Sequence, residues 1–310
     1  MAKQRNGLIF LLLALLALSA MTLAACGGDD DDDDDANPTA GGGAATTAPS
    51  AAAATFPAGS TMAAIVAKGK LVVGVKFDQP GFGQKDPVSN KVEGFDADMA
   101  REIAKALGLK EDQVEFVESI SANRIPYLQE DKVDLVIATM TINAMRKEQI
   151  EFSRPYYQAG QSILVKKDNS TIKSVDDLNG KNVCSVSGST SETNVKTKAP
   201  QANLLSLANY SACVSSLKDG RVDAVSTDDI ILAGFAASDT SIKLVGGQFT
   251  TEPYGIGMKK GKTDMTAFVD ATLAKMFADG TWDKLYDKHL GKVEGLPKAA
   301  EARGKLPATN

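Results

Sequence analysis

Histidine is almost missing from this chain: His289 is the only one in 310 residues. That scarcity argues against His-built zinc sites and against Ser-His-Asp chemistry. The three cysteines are too few to frame a disulfide-stapled miniprotein. No GxxxxGK[ST] run occurs, so a Walker A phosphate loop is excluded. Surplus positive charge is lacking too: the net charge is −5, which argues against a general nucleic-acid binder. No internal repeat with a period of roughly 20 to 50 residues is evident, which sets aside solenoids and propellers. The apolar stretch Leu8 to Leu18 falls short of the roughly 20 residues of a stable spanning helix.

What is present is hydrophobic content of 43%, enough for a sizeable core and incompatible with disorder throughout. The length accommodates two ordinary domains. The charge is unevenly spread. Without Lys3 and Arg5 the chain carries −7, and the seven-residue run Asp29 to Asp35 accounts for all of it, so residues 57–310 balance to zero.

The amino-terminal 56 residues read as targeting and tether. Lys3 and Arg5 form a basic region, Leu8 to Leu18 an apolar one, and Leu23-Ala24-Ala25-Cys26 matches the bacterial lipobox. The expectation is a signal peptide over 1–25, cleaved before a lipidated Cys26. An ordinary secreted protein with a chance cysteine is the plainer alternative. Residues 26–56, acidic and then rich in Ala, Thr and Pro, predict a disordered linker. The Asp run lacks the spaced ligands and turn glycine of a calcium loop.

Beyond residue 56, short apolar runs alternate with helical patterns, the signature of an α/β protein. Leu71 to Phe77, Gln113 to Val117 and Asp134 to Ala138 read as strands. Phe95, Met99, Ile103 and Leu107 form one apolar stripe of a helix, with Asp96 as its N-cap and Gly108 ending it. Ser121 is a candidate N-cap for a helix reaching about Glu130. Further strands are expected over Asn182 to Ser187, Val222 to Ser226, Ile242 to Val245 and Tyr254 to Met258. Helices are expected over Tyr210 to Lys218, Asp229 to Ala237, Thr263 to Ala278 and Thr281 to His289. Ser174-Val175-Asp176-Asp177 resembles a capping box. Trp282, Tyr286 and His289 share a helical face and read as packing residues. Two α/β units with a cleft between them suit a small ligand.

Several stretches resemble the family 3 extracellular solute-binding proteins, the amino-acid receptors of ABC importers. They are Gly94-Phe95-Asp96-Ala97-Asp98-Met99, Lys132 to Val136, Thr139-Met140-Thr141 with Arg146, and Ile150 to Tyr157. Ser187 to Thr190 and Val222 to Asp228 extend the resemblance, which covers about residues 60 to 290. Phe77 to Gly81 and the pair Cys184 and Cys213 are similar to the glutamate-binding lipoproteins of Gram-positive bacteria. The resemblance implies a two-lobed periplasmic-binding-protein-like clamp of type II, crossed twice by the chain near Gln161 to Lys166 and Phe249 to Gly255. Lobe 1 would be 57–162 plus 254–294, lobe 2 would be 163–253, and 295–310 a flexible tail.

The same resemblance assigns the ligand contacts. A buried amino acid needs opposite charges at both of its ends. Arg146, with Thr139, Met140 and Thr141, matches the α-carboxylate segment, and its planar fork suits both oxygens. Gly188, Ser189 and Thr190 open a helix whose N–H groups suit the same carboxylate, with plain N-capping by Ser187 or Ser189 the compatible bland alternative. Asp228 matches the ammonium acceptor, with Asp229 its rival. Ser121, Arg124 and Lys76 match positions at the ligand's side-chain end, where two cations favour glutamate or aspartate. Plain surface roles are the bland alternative for Arg146, Arg124 and Lys76. Asp78 cuts against an acidic ligand if it faces the pocket. Outside the membrane, Cys184 and Cys213 suit a disulfide, two buried thiols being the other reading.

The implied function is a non-enzymatic, monomeric receptor with no cofactor. It would be held on the outer face of the membrane by lipidated Cys26 alone, taking a free amino acid to permease subunits and their ATPase. A glutamine or asparagine receptor, a ligand-presenting partner of a sensor kinase, and a dehydratase on the same fold are the competing readings.

Overall fold

A computed structural model describes residues 55–307. The expected signal peptide, Cys26 and nearly all of the linker lie outside the described residues. Phe56, the last residue assigned to that linker, packs edge-on against Phe268 at 5.5 Å.

Two five-stranded sheets organise the chain. In the first, Val114–Glu118, Leu71–Val75 and Leu135–Val136 run parallel; Gly257–Lys259 returns antiparallel between Leu135–Val136 and Ile150–Phe152. In the second, Asn203–Leu207, Asn182–Val186 and Ala224–Asp228 are parallel, while Gln161–Lys166 lies antiparallel between Ala224–Asp228 and Ile242–Val245. A ribbon of two short antiparallel strands, Tyr157–Ala159 and Glu252–Tyr254, carries the chain from one sheet to the other and back. The crossover expected at Gln161 to Lys166 therefore lies earlier. That stretch is a full strand of the second sheet, its Ile163, Leu164 and Val165 wholly buried between two neighbours.

Leu71–Val75 is buried at every position, as a parallel strand covered on both faces must be. The predicted stripe is real: helix Phe95–Ala106 buries Phe95, Met99 and Ile103, followed by Leu107. Its start differs from expectation. Gly94, at φ 128°, takes the N-cap position, and a Cβ there would lie 2.2 Å from the Phe82 carbonyl oxygen, so only glycine fits. Asp96 is thereby released from capping and turns inward. Phe95 sits within a nest of rings, with Trp282 at 5.6 Å and Tyr286 at 6.5 Å. Trp282 and Tyr286 are indeed core residues, and Trp282 donates its indole N–H to the Tyr156 carbonyl.

Three other expectations are corrected. Ser121 opens a single 3-10 turn before the short helix Arg124–Gln129 and makes no side-chain cap. The strand expected over Tyr254 to Met258 breaks at Gly255, where a Cβ would meet Ile142 at 2.6 Å. The tail expected to be flexible contains helix Ala299–Gly304; it buries Ala299 and Ala302, and Tyr286 Oη donates to the Pro297 carbonyl. Cys184 and Cys213 form a disulfide, with Cα atoms 5.5 Å apart. Among the described residues no helix is long and apolar enough to cross a membrane.

Candidate functional site

Segments at the carboxyl ends of strands of the two sheets meet around a cavity of about 10 Å³, lined by Ser121, Arg124, Thr139, Ser189, Thr190 and Asp228 among others. All six are residues that sequence reasoning singled out. The space is that of a single water position, so anything larger enters only if the faces separate. A wider groove of about 690 Å³ lies elsewhere, against Phe116 and the Asp98–His289 pair. Asp98 there already accepts from Arg101, Lys288 and His289, which leaves it little capacity for a ligand.

The cavity has two chemically distinct ends. At one, Lys76 is buried and donates from Nζ to Ser121 Oγ at 2.9 Å. Ser121 thus spends an oxygen lone pair on Lys76 and keeps its proton to donate inward. Arg124 gives its Nε to the Ser121 carbonyl, and its Nη1 to the carbonyls of Ala138 and Thr139. Its Nη2 carries no bond to another described residue. Burial and the Arg124 charge bring Lys76 down to about 7, and burial with the Arg146 charge brings Arg124 down to about 9. This end therefore offers donors and positive charge.

At the other end Asp228 accepts from Tyr254 Oη at 2.6 Å through Oδ2, while its buried Oδ1 has no partner among the described residues. Burial, then the nearby Glu252 charge, raises its pKa to about 8. An ammonium group is the natural complement of such an orphaned carboxylate oxygen. Its rival Asp229 is already engaged, accepting from Gly160 N and Gln248 Nε2.

Arg146 sits on helix Ala144–Gln149, which the Asn143 side chain caps by accepting from Arg146 N. The guanidinium lies just outside the cavity lining and is buried. It donates to the Thr141 carbonyl at 2.7 Å and, across the cleft, to the Gly188 carbonyl at 3.3 Å. Ser189 caps helix Thr190–Lys198 by accepting from Glu192 N. Gly188 holds φ 77°, and a Cβ there would stand 2.9 Å from Ala122 Cα of the opposite face.

Two predicted residues take other places. Asp78 does not face the cavity: its Oδ2 accepts from the backbone N–H of Tyr210 and Ser211, at the start of helix Tyr210–Lys218. Met140 buries its side chain in the cluster with Leu128, Val136 and Ile150, and only its carbonyl, accepting from Gly255 N, faces the ribbon. Sequence reasoning missed Glu252, Gln79, Tyr210 and Tyr254. It also missed the role of Asp96, which accepts from Thr139 N and Tyr156 Oη and holds Thr139 at an unusual φ of 45°. Burial lifts Asp96 to about 7 despite those two bonds. No local pattern marks these positions as a group: Glu252 and Tyr254 lie on the ribbon, Gln79 on the short strand Asp78–Gln79, and Asp96 and Tyr210 on two separate helices.

Residues 71–292 match the model of the bacterial extracellular solute-binding proteins, family 3. The glutamine-binding protein GlnH of Bacillus subtilis is 46% identical over 74% of this chain and 84% of its own. The glutamate-binding protein GluB of Corynebacterium glutamicum is 38% identical over 77% and 86%. A solved structure of an ancestral arginine-binding protein bound to glutamine is 44% identical, covering 72% of this chain and 99% of its own with a TM-score of 0.68. The architecture is thus that of the type II periplasmic amino-acid-binding proteins.

Proposed function

Because the chain belongs to family 3 of the bacterial extracellular solute-binding proteins, we propose that it is an ABC importer's receptor for an acidic amino acid, glutamate first and aspartate second. The first sheet would anchor one lobe of a clamp and the second sheet the other. A ligand would bind between them, draw the faces together by touching both, and be handed to a membrane permease. Cys26 would carry the lipid anchor and residues 27–56 would be the tether. The receptor would perform no chemistry of its own.

The observation that carries the acidic reading is the donor-only end of the cavity. Arg124 Nη2, the Ser121 hydroxyl and Lys76 behind it present protons and positive charge. A carboxylate meets them with acceptors alone, whereas an amide would turn its NH2 against donors. Asp78, the acid that the sequence alone set against this, is occupied by two backbone N–H groups. The α-ammonium would lie against Asp228 Oδ1. The α-carboxylate would take Arg146 and the N-terminus of helix Thr190–Lys198 in place of the two carbonyls that Arg146 now holds.

A glutamine receptor is the second reading, favoured by the 46% identity to GlnH. Calorimetric titration decides between them, on protein unfolded and refolded to strip carried-over ligand. Glutamate, aspartate, glutamine, asparagine and arginine are compared for the parent chain and for Arg124→Gln. Glutamate should bind most tightly, and Arg124→Gln should weaken it roughly a hundredfold while changing glutamine far less. Tight glutamine binding with no response to glutamate removes the carboxylate clamp and keeps the receptor. Silence with all five removes the receptor reading itself.

A further inference from the structure

Glu252 is a buried carboxylate on the ribbon strand Glu252–Tyr254, and both of its oxygens are fully used. Oε2 accepts from Thr141 Oγ1 at 2.7 Å and from Thr190 Oγ1 at 2.9 Å. Oε1 accepts from Asn194 Nδ2 at 3.0 Å and from Thr250 Oγ1 at 2.8 Å. Four donors fill the four lone-pair sites of an ionised carboxylate. They come from different parts of the molecule. Thr141 belongs to the segment that follows the first sheet's strand Leu135–Val136, whereas Thr190 and Asn194 sit on the helix packed against the second sheet.

The geometry points to Glu252 as a clasp: we infer that it ties the two faces of the cleft together and so sets how readily they part, whatever ligand lies between them. Separating Thr141 from Thr190 strips a donor from Oε2, and a charged acceptor that loses a partner in a buried site costs more than a neutral one. The direct contact between the two threonine hydroxyls, 3.3 Å, breaks with it. A carboxylate in this position therefore favours the closed arrangement before a ligand adds its own contacts. Through that bias Glu252 acts as a positioning residue for whatever Arg146 and Asp228 bind. The connection is lopsided. Among the described residues Thr141 is the one side-chain donor to Glu252 from the first-sheet side, where the ribbon backbone is also held through Ile142 N to the Pro253 carbonyl, while Asn194 and Thr250 tie Glu252 to the second sheet.

The test reads opening at a place distant from the clasp. The amides of Tyr210 and Ser211 donate across the cleft to Asp78, at 2.9 Å and 3.1 Å, and lose that protection when the faces part. Backbone hydrogen exchange of the ligand-free full chain, read by mass spectrometry over residues 210 and 211, should accelerate about tenfold or more in Glu252→Gln and in Thr141→Val. Thr190→Val should act less, because Asn194 still holds the other oxygen. The double variant Thr141→Val with Thr190→Val should exceed Thr141→Val little, since without Thr141 the Glu252 side chain has no first-sheet partner left for Thr190 to bridge to. Thr250→Val removes a bond on one side only and should leave exchange at 210 and 211 as it was. Should Glu252→Gln fail to fold, the threonine series alone decides. Because a tenfold gain in exchange starts from a chain that rests mostly closed, glutamate or glutamine affinity, whichever the parent chain shows, should weaken by no more than about twofold. Exchange at 210 and 211 that is unchanged in Thr141→Val and Glu252→Gln overturns the clasp. So does tighter binding by Glu252→Gln, which would make the carboxylate a competitor for Arg146. The exchange arm needs no ligand, so a wrong substrate leaves it standing, while only the affinity arm rests on the receptor reading.

Discussion

Lys76 and Asp228 belong to opposite ends of one cleft, and a ligand shifts their protonation in opposite senses. Burial and Arg124 hold Lys76 at about 7, and a ligand carboxylate beside it would raise that value, so binding takes up a proton near neutrality. Burial and Glu252 hold Asp228 at about 8, and a ligand ammonium would lower it, so binding releases one. The Lys76 contribution makes affinity fall as pH rises above about 7. The Asp228 contribution makes affinity rise until about pH 8. In the parent chain the two largely offset each other, giving a shallow profile. Lys76→Met should leave release alone: glutamate affinity then climbs between pH 6 and 8, and calorimetry in phosphate and in Tris differs by the heat of the released proton. Identical proton exchange in the variant and the parent would show that the ligand does not contact the Lys76 end. These individual residues were partly legible in the chain. Arg124, Thr139, Thr190 and Asp228 sit in motif-like stretches, and all four line the cavity. Glu252 and Tyr254 were invisible because nothing local distinguishes a glutamate that caps a distant threonine pair from one exposed to water. Asp78 was misleading for the same reason, its helix-capping partners lying more than 130 residues away.

Secondary-structure elements were more legible than their ends. Long amphipathic stretches such as Phe95–Ala106 and Thr263–Ala278 declare themselves through period and punctuation. The apolar run around Leu135–Val136 also announced its strand, whereas the ribbon strands do not, since three residues carry no period and their pairing is fixed by the sheets they join. Asn203–Leu207, an edge strand of mixed exposure, also leaves a weak pattern. How elements are fastened was hidden as well. Helix Phe95–Ala106 is pinned to helix Thr281–His289 by Asp98, which accepts from Lys288 and His289 while also bonding Arg101. Burial pushes the Asp98 carboxyl up, but those three donors outweigh it and hold the group well below the usual carboxylate range. A carboxyl depressed in the folded state stabilises above its unfolded pKa and loses that stabilisation as pH falls through the folded one. Asp98→Asn should therefore cost about 2 kcal/mol at pH 7, lowering the melting temperature by roughly 4–8 °C. The cost should shrink below about pH 4, where the parent chain begins to lose the same interaction. A melting temperature unchanged at pH 7 would mean that the contact contributes nothing to fastening the two helices.

For the whole molecule the decisive quantity is the free-energy difference between parted and joined faces, and one glycine separates it from ordinary stability. Gly234 lies in the interior of helix Asp229–Ser238, flanking the second sheet, with a helical backbone that any residue adopts. In an isolated helix, alanine there would be favoured by about 1 kcal/mol. Yet an added Cβ would stand 2.4 Å from the carbonyl oxygen of Pro80, which belongs to the hairpin beside Asp78. Backbone cannot yield as a side-chain tip does, so the joined arrangement must shift whereas a parted one need not. Gly234→Ala should consequently leave the ligand-free melting temperature unchanged or slightly raised while weakening ligand affinity at least tenfold. The two measurements move in opposite directions only if closure is a separate equilibrium from folding. Were stability and affinity to fall together, Pro80 and Gly234 would be part of a single rigid core. The cleft would then admit its ligand by some route other than a parting of the two sheets.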